Sequence, residues 1–136
     1  MKAQVLLVED DDLLRDSLKR VLQSEDFAVV TGGNNRQNQQ ILHEQHVDMV
    51  LIDVDSTDRN GWDEAQRIAA SLMFLPMIVI TAMSGQQHRA AMTGADVLME
   101  KPLNFPDLLQ SMRRLLEQTL EGRLYRIEQA YGHAAA

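Results

Sequence analysis

The sequence predicts an α/β domain in which a doubly wound, five-stranded parallel sheet is covered by helices on both faces. Short apolar runs alternate with amphipathic stretches along nearly the whole chain. The runs are continuously apolar, as strands that are buried on both faces require. Because ligands of such folds bind beside the carboxyl ends of the strands, a functional site is expected there.

The first half of the chain contains three predicted strands. Val5 to Val8 is the first apolar run, and a helix follows whose apolar residues recur at helical spacing: Leu14, Leu18, Val21 and Leu22. Phe27 to Thr31 is a second, β-branched run, and Gly32 to Asn35 reads as a loop. The third run is Met49 to Val54. The polar stretch before it predicts a weak helix that contains Ile41 and Leu42.

The third helix and the fourth strand follow a break in the chain at Asn60-Gly61. The helix has an apolar face made of Trp62, Ala65, Ile68, Ala69 and Leu72. Pro76 then introduces the fourth strand, Met77 to Thr81.

The remaining chain adds two helices and one strand. A short helix around His88 to Met92 ends at Gly94. Val97 to Met99 is the fifth strand, and Lys101-Pro102 stops it. The last helix begins near Asn104, and its apolar residues are Leu108, Leu109, Met112, Leu115 and Leu116.

Composition limits the classes of function. The chain has 136 residues, 45% of them hydrophobic, which is enough for one domain with a buried core. Its net charge of −7 does not favour nucleic acid as a direct partner. The absence of cysteine excludes disulfides, thiolate catalysis and cysteine metal sites. The first apolar run is too short for a signal peptide or a membrane span, so a soluble cytoplasmic domain is expected.

Polar residues follow four of the predicted strands. The first strand ends in the acidic run Glu9 to Asp12, the third ends at Asp53, the fourth ends at Thr81, and Lys101 follows the fifth. Carboxylates that lie close together repel one another unless a cation sits among them, and hard oxygen ligands suit Mg²⁺. Thr81 and Lys101 are then available to donate hydrogen bonds to the oxygens of a phosphoryl group.

Each of these residues taken alone also has an ordinary structural interpretation. Asp11 or Asp12 is a typical N-cap for the first helix. Thr81 alone is compatible with a strand end of no special function, and Lys101 alone with a surface charge. It is their joint occurrence at the ends of four strands of one sheet that indicates a site.

At the same positions the sequence resembles the receiver domain of two-component response regulators. The resemblance runs from about Gln4 to Leu120. It rests on motifs that occur in the family's order and at about its spacing, namely Val8-Glu9-Asp10, Asp53, Gly61, Thr81-Ala82 and Lys101-Pro102. It implies a flavodoxin-like sheet of strand order 2-1-3-4-5, a receiver domain over residues 1–121 and a C-terminal extension over residues 122–136.

The resemblance also implies roles for single residues. Asp53 would be the phosphoacceptor, and Glu9 and Asp10 would be the acidic pair that binds Mg²⁺ together with Asp53 and the backbone carbonyl of Asp55. The other implied roles are Thr81 as the switch hydroxyl, Ala82 as a small residue that leaves access open, Lys101 as the phosphoryl-binding lysine and Pro102 as the residue after a cis peptide bond.

The implied function is regulatory and not enzymatic, although such a domain assists its own phosphorylation and dephosphorylation. The phosphoryl group would come from a sensor histidine kinase or a phosphotransfer protein. The resulting conformational change would control an output domain or a partner protein.

Two alternatives remain open. Asp53-Val54-Asp55-Ser56-Thr57 matches the Asp-x-Asp-x-Thr motif of haloacid-dehalogenase-type phosphatases. In those enzymes, however, the nucleophile normally follows the first strand and the acid pair comes last, which is the reverse of the order here. The other alternative is a receiver-like docking module whose output does not depend on phosphorylation.

Several departures from the family pattern put the usual output surface in doubt. Leu98 occupies a switch position where the family usually has Tyr or Phe. In the loop from Asp53 to Gly61, Ser56-Thr57 replaces a Met-Pro pair that the family often has. The stretch from Thr81 to Gly94 is about two residues shorter than in the family, which predicts a short or irregular fourth helix. Beyond the domain, apolar residues continue at spacings of four and three, which suits a linker helix, a dimer-forming extension or a frayed tail: Leu116, Leu120, Leu124, Ile127 and Tyr131.

Overall fold

A five-stranded parallel sheet forms the centre of the computed structural model, which describes residues 2–55, 60–72, 74–118 and 128–129. The strands are β1 (Gln4–Val8), β2 (Ala28–Gly32), β3 (Met49–Asp53), β4 (Met77–Thr81) and β5 (Val97–Glu100). Their order across the sheet is β2-β1-β3-β4-β5, and every neighbouring pair is parallel. The predicted fold class and strand order are therefore confirmed.

In the described part of the chain, one helix follows each strand. The helices are α1 (Asp12–Ser24), α2 (Asn35–Glu44), α3 (Gly61–Ser71), α4 (Gln87–Thr93) and α5 (Phe105–Glu117). Helix α4 has only 7 residues and ends at Gly94, whose φ of 106° lies in the left-handed region that glycine adopts without a steric penalty. None of the described helices is long and apolar enough to cross a membrane.

Both faces of the sheet are buried, which explains why the strands are continuously apolar. Val5 and Leu7 of β1 belong to a buried cluster with residues of α1 and α5. The alternate residues Leu6 and Val8 belong to a second cluster on the other face, with residues of α3. Successive side chains of a strand point to opposite faces, so β1 needs an apolar residue at every position from Val5 to Val8.

Asparagine or aspartate side chains cap the starts of α1, α2, α3 and α5. Asp11 is the N-cap of α1 and accepts a hydrogen bond from the backbone N–H of Leu14 at 2.9 Å. Asn34 and Gln37 form a capping box at the start of α2. Because of this box, α2 begins at Asn35, and the loop after β2 is shorter than the predicted loop.

A buried polar network joins α2 to α3. The side chain of Asn38 is fully buried and donates to Glu64 Oε2 at 2.7 Å, while Asn35 donates to Glu64 Oε1 at 2.8 Å. Asn38 also bonds both backbone polar groups of Gly33. These hydrogen bonds satisfy polar groups that would otherwise be costly to bury. A helix with few apolar residues is thereby held in place.

Helices α3 and α4 meet through an aromatic contact. The guanidinium carbon of Arg89 lies 4.8 Å from the centre of the Trp62 ring, which is within the range of a cation–π interaction. Trp62 itself is 8% exposed and packs in the cluster on this face of the sheet. Arg89 thus lies over a face of the indole ring.

Gly61, at the start of α3, lies against the backbone that follows β3. A Cβ atom at this position would lie 2.4 Å from the carbonyl oxygen of Val54 and 2.5 Å from its Cα. Rigid backbone cannot move away cheaply at such distances. Glycine therefore permits α3 to start close to the carboxyl end of β3.

We expect Gly61→Ala to lower the free energy of unfolding by roughly 1–3 kcal/mol, because the added methyl group overlaps the Val54 backbone. Gly33→Ala is the comparison variant. Its methyl group meets the Oε1 atom of Gln37, the end of a flexible side chain that can move away at the cost of one capping-box hydrogen bond, so its loss should be smaller. Urea denaturation of both variants measures the two losses. Equal losses would show that the close approach at Gly61 carries no special cost.

Candidate functional site

The carboxyl ends of β3, β4 and β5 bring three of the expected site residues together. The backbone N–H of Lys101 donates to the carbonyl of Thr81 at 2.8 Å, which places these two residues side by side. The backbone N–H of Val54 donates to the carbonyl of Ile80 at 3.0 Å, which fixes Asp53 beside the end of β4. Backbone hydrogen bonds of the sheet thus set the positions of Asp53, Thr81 and Lys101.

Among the described residues, two donors hold the Asp53 carboxylate, and Asp53 is only 4% exposed. The Lys101 ammonium lies 2.5 Å from Oδ2, and the backbone N–H of Asp55 donates to Oδ1 at 2.8 Å. Burial alone would lower the pKa of Lys101, but the hydrogen bond and the negative charge of Asp53 outweigh burial and raise it. Lys101 therefore stays positively charged, and Asp53 is fixed in one orientation.

Glu9 is a buried carboxyl group beside Asp53. Its Oε2 accepts from the backbone N–H of Asp11 at 3.2 Å, whereas Oε1 is buried without a hydrogen-bond partner among the described residues. Burial raises the pKa of Glu9 to about 8, and the neighbouring Asp53 carboxylate also raises it. A carboxyl group in this position gains stability from a proton or from a metal cation.

The acidic residues fit a hard cation in their chemistry but are not already arranged around one. Within residues 2–55, 60–72, 74–118 and 128–129, no three histidine, aspartate or glutamate side chains are grouped so that they could hold a metal. Asp10 is exposed at the end of β1, next to the buried Glu9. The unpartnered Oε1 of Glu9 and the charge-rich edge are the observations that favour a cation such as Mg²⁺ here.

The side chain of Asp55 lies in the centre of the site, a position that sequence reasoning missed. Its Oδ1 accepts from the Thr81 hydroxyl at 2.8 Å, and its Oδ2 accepts from the backbone N–H of Ala82 at 2.6 Å. The Lys101 ammonium is 3.4 Å from Oδ2. Burial acts to raise the pKa of Asp55, but these hydrogen bonds and the charge of Lys101 prevail and lower it.

The expected switch residues occupy different surroundings. Thr81 is fully buried, and its hydroxyl oxygen accepts from the backbone N–H of Met83 at 3.1 Å. Ala82 is exposed, and Leu98 is half-buried on β5, opposite Val79 of β4. The peptide bond between Lys101 and Pro102 is cis.

Two of the sequence-based expectations fall outside the described residues. Ser56-Thr57, the pair that distinguishes the loop after β3, is one of them. The extension over residues 122–136 is the other, apart from residues 128 and 129.

The family comparison identifies the architecture that holds this site. The model of the response regulator receiver domain matches residues 5–113 of the chain. The chain is 30% identical over 121 residues to the response regulator MprA of Mycolicibacterium vanbaalenii. It is 31% identical over 117 residues to the virulence transcriptional regulatory protein PhoP of Salmonella typhimurium. The matches cover 88% and 85% of this chain and 52% of each relative, so the chain spans about half the length of these curated relatives.

Solved structures show the same arrangement of elements. The non-phosphorylated receiver domain of HemR from Leptospira biflexa has a TM-score of 0.77 and 28% identity, covering 87% of this chain and 97% of that chain. The response regulator TrrA from Thermotoga maritima was solved in complex with Mg²⁺-BeF. It has a TM-score of 0.74 and 26% identity, and the match covers 85% of this chain and 99% of that chain.

We expect Glu9→Gln to raise the free energy of unfolding at pH 7 without divalent cations, by about 1–3 kcal/mol. The folded protein keeps a proton on Glu9 that the unfolded chain releases above its ordinary pKa of 4.5. The resulting penalty grows as the pH rises from about 4.5 to about 8, and glutamine removes it. Urea denaturation in the presence of a chelator, at pH 4.5 and at pH 7, measures the difference.

The control for this experiment is Asp16→Asn, which neutralises an exposed carboxylate of α1. Its stability should stay close to wild type at both pH values. A Glu9→Gln variant that is less stable than wild type at pH 7 would contradict this account of the buried carboxyl.

Proposed function

The chain belongs to the response regulator receiver domain family, and from this membership we propose that Asp53 accepts a phosphoryl group. Receiver domains are regulatory signalling domains of two-component systems. The proposed donor is a phosphohistidine on a sensor histidine kinase or on a phosphotransfer protein. The observation that carries the proposal is the buried Asp53 carboxylate, held by Lys101 and by the Asp55 amide at the same edge as Thr81.

Phosphoryl transfer depends mainly on alignment and on stabilisation of charge, and the residues around Asp53 supply both. The two donors to Asp53 restrict rotation of its carboxylate, so the group keeps one orientation as an incoming phosphorus approaches. Lys101 reaches both Asp53 and Asp55, and its three N–H groups allow it to bind a phosphoryl oxygen as well.

A divalent cation completes the proposed site. We propose that Glu9, Asp10 and Asp53, with the backbone carbonyl of Asp55, hold Mg²⁺. When bound, Mg²⁺ supplies the positive charge that offsets repulsion between these acids and the phosphoryl group. The unpartnered, buried Oε1 of Glu9 supports this assignment because it lacks the partner that a cation provides.

The proposed output is a change at the end of β4. A phosphoryl group on Asp53 adds negative charge and acceptor oxygens within reach of Thr81, and the segment that follows Thr81 is exposed. Leu98 has no ring or hydroxyl, so on β5 it responds to such a change only through packing. PhoP is a transcriptional regulatory protein, and we propose that this receiver likewise controls a transcriptional output.

One observation favours the second candidate, a docking module that works without phosphorylation. The Thr81 hydroxyl already has a carboxylate partner in Asp55 while Asp53 is unmodified. Labelling with a small phosphoryl donor distinguishes the two functions.

Incubation with acetyl phosphate and Mg²⁺ should add one phosphoryl group to the wild-type chain and none to Asp53→Asn, because the amide cannot act as the nucleophile. The control is Asp63→Asn, an exposed carboxylate on α3 that should leave labelling unchanged. Intact mass spectrometry counts the added groups. Equal labelling of wild type and Asp53→Asn would refute Asp53 as acceptor.

We expect Asp10→Asn to weaken Mg²⁺ binding by about tenfold or more, because it removes one anionic ligand. The fold should remain intact, since Asp10 is exposed. Isothermal titration calorimetry measures the affinity. Asp16→Asn, which neutralises an exposed carboxylate of α1, is the control and should bind Mg²⁺ as tightly as the wild type. An unchanged affinity in Asp10→Asn would remove Asp10 from the metal site.

A further inference from the structure

The Asp55 carboxylate uses the hydrogen-bond donors that a phosphoryl group on Asp53 would need. Its two oxygens accept from the Thr81 hydroxyl at 2.8 Å and from the Ala82 backbone N–H at 2.6 Å. Lys101 lies 3.4 Å from one of them, and the Asp55 backbone N–H donates to Asp53 at 2.8 Å. The residue thus links the acceptor to the switch hydroxyl.

Two of these donors have a single hydrogen each. The Thr81 hydroxyl accepts from the Met83 backbone N–H at 3.1 Å and donates its own hydrogen to Asp55, because a carboxylate can only accept. The Ala82 amide likewise has one hydrogen, and it points to Asp55. Neither donor serves a second strong acceptor without releasing the first.

We propose that the Asp55 carboxylate is an internal competitor of the phosphoryl group, which occupies Thr81 and Ala82 until phosphorylation displaces it. The proposal rests on the proposed phosphorylation of Asp53. It makes Asp55 a positioning residue: its side chain touches the switch and does not carry the phosphoryl group. The side chain also differs in function from the Asp55 carbonyl, which every substitution at this position retains.

The competition has two consequences. Before phosphorylation, the Thr81 hydroxyl is held toward the site by a carboxylate, so the segment after β4 is already constrained. During phosphorylation, a charged group must leave, and its charge repels the incoming one. The position of the segment after β4 therefore changes less on phosphorylation than it would without Asp55. Displacing Asp55 also makes binding of the phosphoryl group less favourable.

The first test needs no phosphoryl donor. In NMR spectra of the unmodified protein, the Ala82 amide proton should resonate downfield because it is bonded to a carboxylate. Asp55→Asn and Asp55→Ala should both move this resonance upfield. Glu100→Gln is the matched control, since it removes an exposed negative charge at the end of β5, opposite Thr81, and should leave the resonance in place. An Ala82 resonance that is unchanged in both Asp55 variants overturns the proposal.

The second test uses beryllofluoride with Mg²⁺ as a probe that mimics the phosphoryl group on Asp53. Both Asp55 variants should bind it roughly tenfold more tightly than the wild type or Glu100→Gln, because no carboxylate has to be displaced. Isothermal titration calorimetry measures the affinities. Equal or weaker binding by the Asp55 variants overturns the proposal.

Acetyl phosphate labelling separates failure of this proposal from failure of the proposed function. Wild-type labelling together with equal beryllofluoride affinities rejects the competition and keeps Asp53 as acceptor. Labelling of Asp55→Ala that is faster than that of wild type supports the competition. If neither the wild type nor the variants are labelled and none binds beryllofluoride, both the phosphoacceptor function and the competition are rejected.

Discussion

Charge balance at the carboxyl ends of the strands is the constraint on which the site depends. Glu9, Asp53 and Asp55 lie at this edge. In the described part of the chain, the side-chain cation that pairs with Asp53 and Asp55 is Lys101, and its charge also acts on Glu9. Two like charges about 4 Å apart repel by roughly 4 kcal/mol at an effective dielectric constant of about 20. The protein meets this cost in two ways. Burial beside Asp53 raises the pKa of Glu9, which favours its protonated form when no cation is bound, and Asp53 and Asp55 share the ammonium group of Lys101.

The sheet and the helix starts make this crowding possible. Backbone hydrogen bonds between β3, β4 and β5 fix the strand ends, and the Asp11 and Asn60 caps fix the first turns of α1 and α3. Beyond Ala82, whose backbone N–H is bonded to Asp55, the stretch that leads to α4 has fewer restraints. Met83 is 57% exposed, and α4 begins without a side-chain cap. The part of the site around Asp53 is therefore fixed in position, whereas the part next to α4 is less restrained.

The sequence predicted the fold and the strand ends because both follow from periodic burial. Buried strands require apolar runs. The polar residues at the ends of these runs are Asp53, Thr81 and Lys101, and parallel strands place them at one edge of the sheet. The Asp55 side chain could not be predicted in this way, because it lies in a loop and its direction depends on donors from β4. The link between Asn38 and Glu64 was missed for a similar reason. Its partners are 26 residues apart on two helices, and polar residues leave no apolar pattern to detect.

The contact between Arg89 and Trp62 has a practical consequence for observing the molecule. Trp62 is the single tryptophan of the chain, and the guanidinium of a short helix covers its ring. A displacement of α4 that lifts the cation away changes the polarity around the indole and therefore the wavelength and yield of its fluorescence emission. The chain thus contains a native optical probe at the boundary between its restrained and less restrained parts, and rearrangements there can be followed in real time without a dye.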